Sequence, residues 1–263
     1  MRTFKLFLLT LMLGLFFSLP AGAHSPTGTF TQHYPETLFV ISENKVFSAE
    51  LIIRDNNLFT GFNTPWFIIH DEKDRDVLGA SLTVEAFSQD QPEDSSASFT
   101  ARDVGHGLYV LPGLYIPEPG SWNLRVTVEK AFQKDEIAFS FPDVRQAEPA
   151  SDLLATRQLG MLGKIAVEYQ PSRQITAESR HNWQLQITTP DGNPLTNADV
   201  ELTGVHLETG KELSERAKVS QRPGRGSYRA DNMLFPEPGP WSVVFIVFTP
   251  TDYEVVEFKL NVE

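Results

Sequence analysis

Pro117-Glu118-Pro119-Gly120-Ser121-Trp122-Asn123-Leu124-Arg125-Val126-Thr127-Val128 is the stretch that decides the fold. Its second half sets Trp122, Leu124, Val126 and Val128 against Asn123, Arg125, Thr127 and Glu129, the period-two alternation of a strand with one buried and one wet face. Its first half reads as a turn, because proline presets φ and Gly120 can take the positive φ that a type II turn demands. The same pattern returns 119 residues later. Pro236-Glu237-Pro238-Gly239 precedes Trp241, Val243, Phe245 and Val247, and the upstream Gly105, Gly107 and Tyr109 recur as Gly224, Gly226 and Tyr228. Nine of the 24 positions from 105 to 128 are identical, too many for chance. Downstream, Ile137, Phe139 and Phe141 keep phase with Val256, Phe258 and Leu260. Upstream, with the register moved by one, Phe67, Ile69, Ala80, Leu82 and Val84 meet Leu185, Ile187, Ala198, Val200 and Leu202. Solenoid repeats run to about 20–50 residues, so a period this long means two tandem copies of a module that folds by itself.

Each copy reads as all β. Thr189-Pro190-Asp191-Gly192-Asn193-Pro194 is a strong turn between apolar strands, and Asp71-Glu72-Lys73-Asp74-Arg75-Asp76 takes its place in copy one. The three aspartates of that run lack the central glycine and terminal glutamate of an EF-hand loop, so the run is read as a solvated hairpin turn and not as a calcium site. About seven short strands in roughly 100 residues point to an immunoglobulin-like sandwich. The fold expected is therefore all-β: two tandem immunoglobulin-like β-sandwich domains after a signal peptide, at 44–142 and 164–263. Residues 24–43 form an N-terminal extension. Residues 143–163 form a linker in which Ser151 could cap a short helix carrying Leu153, Leu154 and Leu159, closed by Gly160 and Gly163. The chain has no cysteine, so Trp122 and Trp241 are expected to fill the space that an inter-sheet disulfide would occupy. Tyr109 and Tyr228 are expected to be corner residues with hydroxyls bonded to backbone.

Arg2 and Lys5, the apolar run Leu6 to Leu19 and the Ala21-Gly22-Ala23 cleavage pattern form a secretory signal. Spanning a bilayer takes about 20 apolar residues, so the leader is expected to be cut, leaving a periplasmic or secreted chain that starts at His24 and has no membrane span. With 22 basic and 34 acidic side chains the formal charge is −12, which disfavours nucleic acid and anionic lipid as partners. Thiol chemistry and thiolate metal sites are ruled out by composition.

Gly-x-Gly-x-Tyr, then Pro-Gly-x-Trp, with the Pro-Asp-Gly-Asn-Pro-Leu turn and Ala-x-Val-x-Leu upstream, resembles the YtkA-like and FixH-like extracytoplasmic domains, here in two copies of which the second matches better. The resemblance implies small β-sandwiches with an accessory role, which in FixH-type members is tied to cytochrome oxidase maturation or copper handling.

The function expected is a non-enzymatic exported binding or accessory protein that meets a protein partner. Its expected docking patch is Val244, Ile246 and Phe248, because these replace the polar Arg125, Thr127 and Glu129 outer face of copy one. Cover of that face by the linker or by copy one is the competing explanation. The first alternative is a copper carrier. With the leader cut, the α-amine and imidazole of His24 would chelate Cu(II), as in the CopC-like carriers that this start resembles, with His33, His70 and His106 as further nitrogen ligands and no other cofactor. None of the histidines recurs between the copies, so any such site is private to copy one. The second alternative is a hydrolase. It has no Gly-x-Ser-x-Gly elbow, Rossmann fingerprint or HExxH helix to stand on, and no catalytic residue is assigned.

Overall fold

The computed structural model describes residues 30–89, 98–146, 155–171, 173–213 and 218–263. Copy one contains β1 (Leu38–Ile41), β2 (Phe47–Ile52), β3 (Gly61–Asn63), β4 (Trp66–Asp71), β5 (Ser81–Ser88), β6 (Ser98–Gly105), β7 (Leu108–Val110), β8 (Leu114–Ile116), β9 (Gly120–Lys130) and β10 (Gln133–Val144). Copy two contains β11 (Arg157–Leu159), β12 (Ala166–Pro171), β13 (Arg180–Thr188), β14 (Asp199–His206), β15 (Lys218–Gln221), β16 (Ser227–Leu234), β17 (Gly239–Phe248) and β18 (Tyr253–Val262). Among the described residues no helix is long and apolar enough to cross a membrane.

Both copies are two-layer sandwiches. In copy two the layers are the sheets β11-β12-β13-β16-β15 and β14-β17-β18. In copy one the strand order runs continuously, β1-β2-β4-β7-β6-β5-β9-β10. The two layers are joined by β6, whose first half pairs with β5 while its second half pairs with β7 across an irregularity at Asp103 to Gly105. The alternation in β9 does what its pattern requires: Trp122, Leu124, Val126 and Val128 are buried and meet Ile137, Phe139 and Phe141 of β10 in the core of copy one. Trp183, Tyr228, Trp241, Phe245 and Phe258 anchor the second core.

The repeated turn is built alike in both copies. Gly120 and Gly239 sit at φ 136° and 127°, conformations that an L side chain resists. Each following tryptophan donates its indole N–H to the glutamate carbonyl of the turn, Trp122 to Glu118 and Trp241 to Glu237, both at 3.1 Å. A buried indole needs such an acceptor, so the turn and the ring specify each other. The tyrosine hydroxyls span the neighbouring corner. Tyr109 donates to the Val77 carbonyl and accepts from the Ala80 amide, and Tyr228 does the same with Leu195 and Ala198.

The repeat reaches further than its most obvious residues. The offset of 119 carries β2 onto β12 and β1 onto β11, so copy one begins inside the segment assigned to the extension and copy two inside the segment assigned to the linker. The expected linker helix lies in part at 147–154, outside the described residues. Its end, Arg157–Leu159, is a strand pairing with β12. Edge pairing satisfies backbone groups that a helix of so few residues could not.

A third apolar cluster joins the copies. Ile52, Trp66, Ile68, Leu108 and Val110 from the outer face of the β2-β4-β7 layer pack against Val244, Ile246, Phe248, Tyr253 and Val255 from the outer face of β17-β18, with Leu162. The molecule is thus four layers deep. The two inner layers are buried on both faces, which is why Trp66 to Ile69 and Val243 to Phe248 read as unbroken apolar runs.

Candidate functional site

The seam is apolar at its centre and polar at one end. On the outer face of β2 and β4 the register places Ile52 opposite Trp66, Glu50 opposite Ile68 and Ser48 opposite His70. Apolar pairs therefore give way to polar ones within two residue steps. Two further segments meet there. The stretch from Thr31 to Thr37 crosses the end of copy one as a strap, and the β17–β18 hairpin of copy two closes from the other side. Between them lies a cleft of about 480 Å3 lined by His33, Tyr34, His70, Asp74, Asp76, His106, Lys164, Asp252 and Tyr253, among others.

Glu50 organises the strap. Fully buried, it accepts the backbone N–H groups of His33 (2.6 Å) and Tyr34 (3.1 Å) and the Thr37 hydroxyl (2.5 Å), and its Oε1 lies 3.1 Å from His33 Nδ1. A carboxylate only accepts, so Nδ1 of His33 carries a proton there, and Nε2 is the ring's other polar atom. That Nε2 lies 3.3 Å from Asp74 Oδ2. His70, 4% exposed, has its Nε2 3.3 Å from Asp76 Oδ1, while its Nδ1 and the opposite Ser48 Oγ are buried without partners. The two imidazoles are 4.4 Å apart, centroid to centroid. Burial, and then the neighbouring His33, lower the His70 pKa below the ordinary imidazole value against the pull of Asp76. One nitrogen from each histidine and one Glu50 oxygen lie within 4.8 Å of one another.

Copy two contributes to the rim. Tyr34 donates to Asp252 (3.0 Å), Lys164 pairs with the same carboxylate, and the Lys164 ammonium sits 4.2 Å from the centre of the Tyr34 ring. Burial, reinforced by Asp252, raises the Tyr34 pKa, so the phenol stays a donor. His106 stacks on Phe248 at 5.0 Å across the seam.

Of the expected ligands, His33, His70 and His106 line one cleft, and His24 lies outside the described residues. Val244, Ile246 and Phe248 are not free for a partner. They are at most 7% exposed, covered mainly by copy one with Leu162 and Met161 from the end of the segment assigned to the linker; Leu159 is exposed, and Leu153 and Leu154 lie outside the described residues. The 71–76 turn was expected to be simply solvated. Asp71 does cap it, with Arg75, but Asp74 and Asp76 turn back towards the imidazoles. His181 and His206 serve copy two, facing the carbonyls of Thr176 and Pro238.

Three carboxylates escaped the sequence reading. Glu50 was detectable as an acid inside the otherwise uncharged run Phe47 to Ile52. Asp135 and Glu254 correspond at the offset of 119. Buried Asp135 binds the Ser42 hydroxyl and the amides of Asn44 and Val46, and buried Glu254 binds the amides of Leu162, Lys164 and Ile165. Each carboxylate thus holds the loop after the first strand of its own copy. A side chain on Gly160 would collide with Glu254, its Cβ falling 2.1 Å from the carboxyl carbon.

No curated protein matches the chain. Among solved structures it is similar to Escherichia coli alpha-2-macroglobulin activated by porcine elastase (10% identity, TM-score 0.31, 82% of this chain and 23% of that one) and to Salmonella alpha-2-macroglobulin reacted with methylamine (11%, 0.31, 89% and 16%). It is also similar to the titin domains Z1Z2 in complex with telethonin (14%, 0.19, 78% and 90%). The chain spans less than a quarter of the macroglobulins it matches. The YtkA-like family model matches residues 163–245, and copy one has no match of its own, so its kinship to copy two rests on the internal repeat and the shared architecture. The second sandwich therefore carries one YtkA-like domain, at residues 163–245.

Proposed function

We propose that this is an exported, non-enzymatic binding protein whose ligand is a cation held in the cleft at the seam. The observation that carries this reading is the lining: Asp74, Asp76 and Asp252 face the cleft beside His33, His70 and His106, and Lys164, already paired to Asp252, is the lysine that accompanies them. Carboxylates gathered in a partly enclosed site favour positive charge more strongly than they would in open water. The partnered imidazole nitrogens at His33 and His70 face carboxylates and not hydroxyls, an arrangement suited to holding a ligand more than to activating a nucleophile. The apolar patch expected for a protein partner is consumed in joining the copies. An accessory role is then exercised through the cation, whether by carrying it or by presenting it.

Thermal unfolding tests the reading with a panel of Cu2+, Zn2+, Ni2+, Mg2+, Ca2+ and spermidine. A cation at 100 times its Kd should stabilise the fold by about 2.7 kcal/mol, and the Asp74→Asn/Asp76→Asn variant should lose that gain. A panel in which no cation raises Tm saturably, or in which the double variant responds like the parent, rejects a cation cleft.

A further inference from the structure

We infer that the ligand of the cleft is an elongated organic polycation, an aliphatic polyamine of the spermidine class, which lies along the seam and meets carboxylates from both copies. This rests on the cation reading above and narrows it. The first support is the shape of the space. The cleft at the strap shares Asp76, His106, Thr249 and Pro250 with a second cleft of about 510 Å3 further along the seam, so the two are lobes of one groove. The second support is how the charge is spread. Asp74, Asp76 and Asp252 line the first lobe, and Asp76, Asp199 and Glu201 line the second, whose wall has no lysine or arginine. These acids do not converge on a point. Among the described residues the one group of three ligand atoms within 4.8 Å of one another is His33, Glu50 and His70, and Glu50 is taken up by the strap. A single ion would meet few of the carboxylates, whereas ammonium groups spaced along a chain meet them in turn.

The second lobe is built by strand register. Asp199 of β14 stands opposite Phe248 of β17 and Glu201 opposite Ile246, so both acids are on the face that docks on copy one. At the matching positions of copy one, β5 carries Ser81 and Thr83, so the sandwich itself does not call for acids there. Docking gathers them into one groove with Asp76, where like charges repel until a cation enters. Where the lobes join, His106 stacks on Phe248, held at φ 54° between Gly105 and Gly107, and Leu78 and Val104 extend the apolar wall. Carboxylates on either side of an apolar wall fit ammonium groups joined by methylenes. At the inner end, His70 lines the cleft and is 4% exposed. Its Nε2 faces Asp76 and so carries a proton, and burial favours the neutral ring. That leaves Nδ1, buried and without a partner among the described residues, as an acceptor in need of an N–H donor.

Calorimetry at fixed ionic strength on protein starting at His24 should show one spermidine per chain, bound at least tenfold more tightly than putrescine, whose single spacer spans less of the groove. Asp199→Asn with Glu201→Gln, and separately Asp74→Asn with Asp76→Asn, should each weaken spermidine binding by tenfold or more, the first without lowering Tm. In the unmutated protein, isotope-labelled at histidine, spermidine should move the His106 ring resonances saturably, a readout that does not depend on any variant folding. Binding of Ca2+ or a transition metal with no affinity for spermidine would overturn the polyamine and leave the cation cleft standing. Spermidine binding that survives both double variants would be loose association with an acidic surface, and binding lost only with Asp74 and Asp76 would confine the ligand to one lobe. Either result overturns the inference.

Discussion

Gly239 shows at one residue how the turn, the ring and the packing depend on each other. Its φ of 127° is one that a side chain resists, and a Cβ there would stand 2.4 Å from Nε2 of His206. That ring cannot retreat, because it is buried, faces the Pro238 carbonyl at 3.0 Å and accepts from the Glu208 and Thr209 amides. Gly239→Ala should therefore cost about 2 kcal/mol or more, whereas Gly120→Ala should show the backbone cost of about 1 kcal/mol. Urea denaturation of the two variants measures this, and equal losses would mean that the contact with His206 does not matter. Such residues were legible in advance: Gly120, Trp122, Tyr109 and their counterparts act within their own turn or corner, so their types and spacing carry the information. The roles of Glu50 and Asp74 were not, because the groups they serve lie 17 and 41 residues away.

At the scale of elements, the two buried loop-holding carboxylates do the same structural task with opposite titration. Burial alone would raise Asp135, but bonds from the Ser42 hydroxyl and from Glu136 and Asn44 outweigh it and hold the pKa below the ordinary 3.8. Its contribution is then fully present above the unfolded pKa and is lost as pH falls through the folded one. For Glu254 burial dominates over four amide donors and raises the pKa above 4.5. Its contribution is fully present below the unfolded value and declines as pH rises towards the folded one. The stability gap between parent and Asp135→Asn should widen as pH rises from 3 to about 5, and the gap for Glu254→Gln should narrow as pH rises from about 4 to 7. Urea titrations across that range decide it, and gaps moving in the same direction would contradict the assignment. The long strands β9, β10 and β17 were readable from alternation or apolar run. The three-residue β11 was not, since so short an edge strand has no period, although the offset of 119 from β1 marks its place.

For the whole molecule, the seam makes a two-module chain into one four-layer body. Val244→Thr with Ile246→Thr puts two hydroxyls into its centre, each costing about 1–3 kcal/mol if unpaired. The expected outcome is lower stability of the isolated protein with no change in its state of association. Unchanged melting would show that the seam does not hold. From the sequence alone came the two β modules, the phase of their core strands, the turns that join them, and the fact that something must cover Val244, Ile246 and Phe248. Periodicity reports this much because each strand's alternation records which of its faces is dry. Tertiary structure alone decided that copy one is the cover, and that His33, His70, Asp74 and Asp76 share a cleft with Asp252, 218 residues from the Tyr34 that binds it. Docking of one sheet face on another leaves no repeating trace along the chain, so the groups it gathers become visible only once the faces have met.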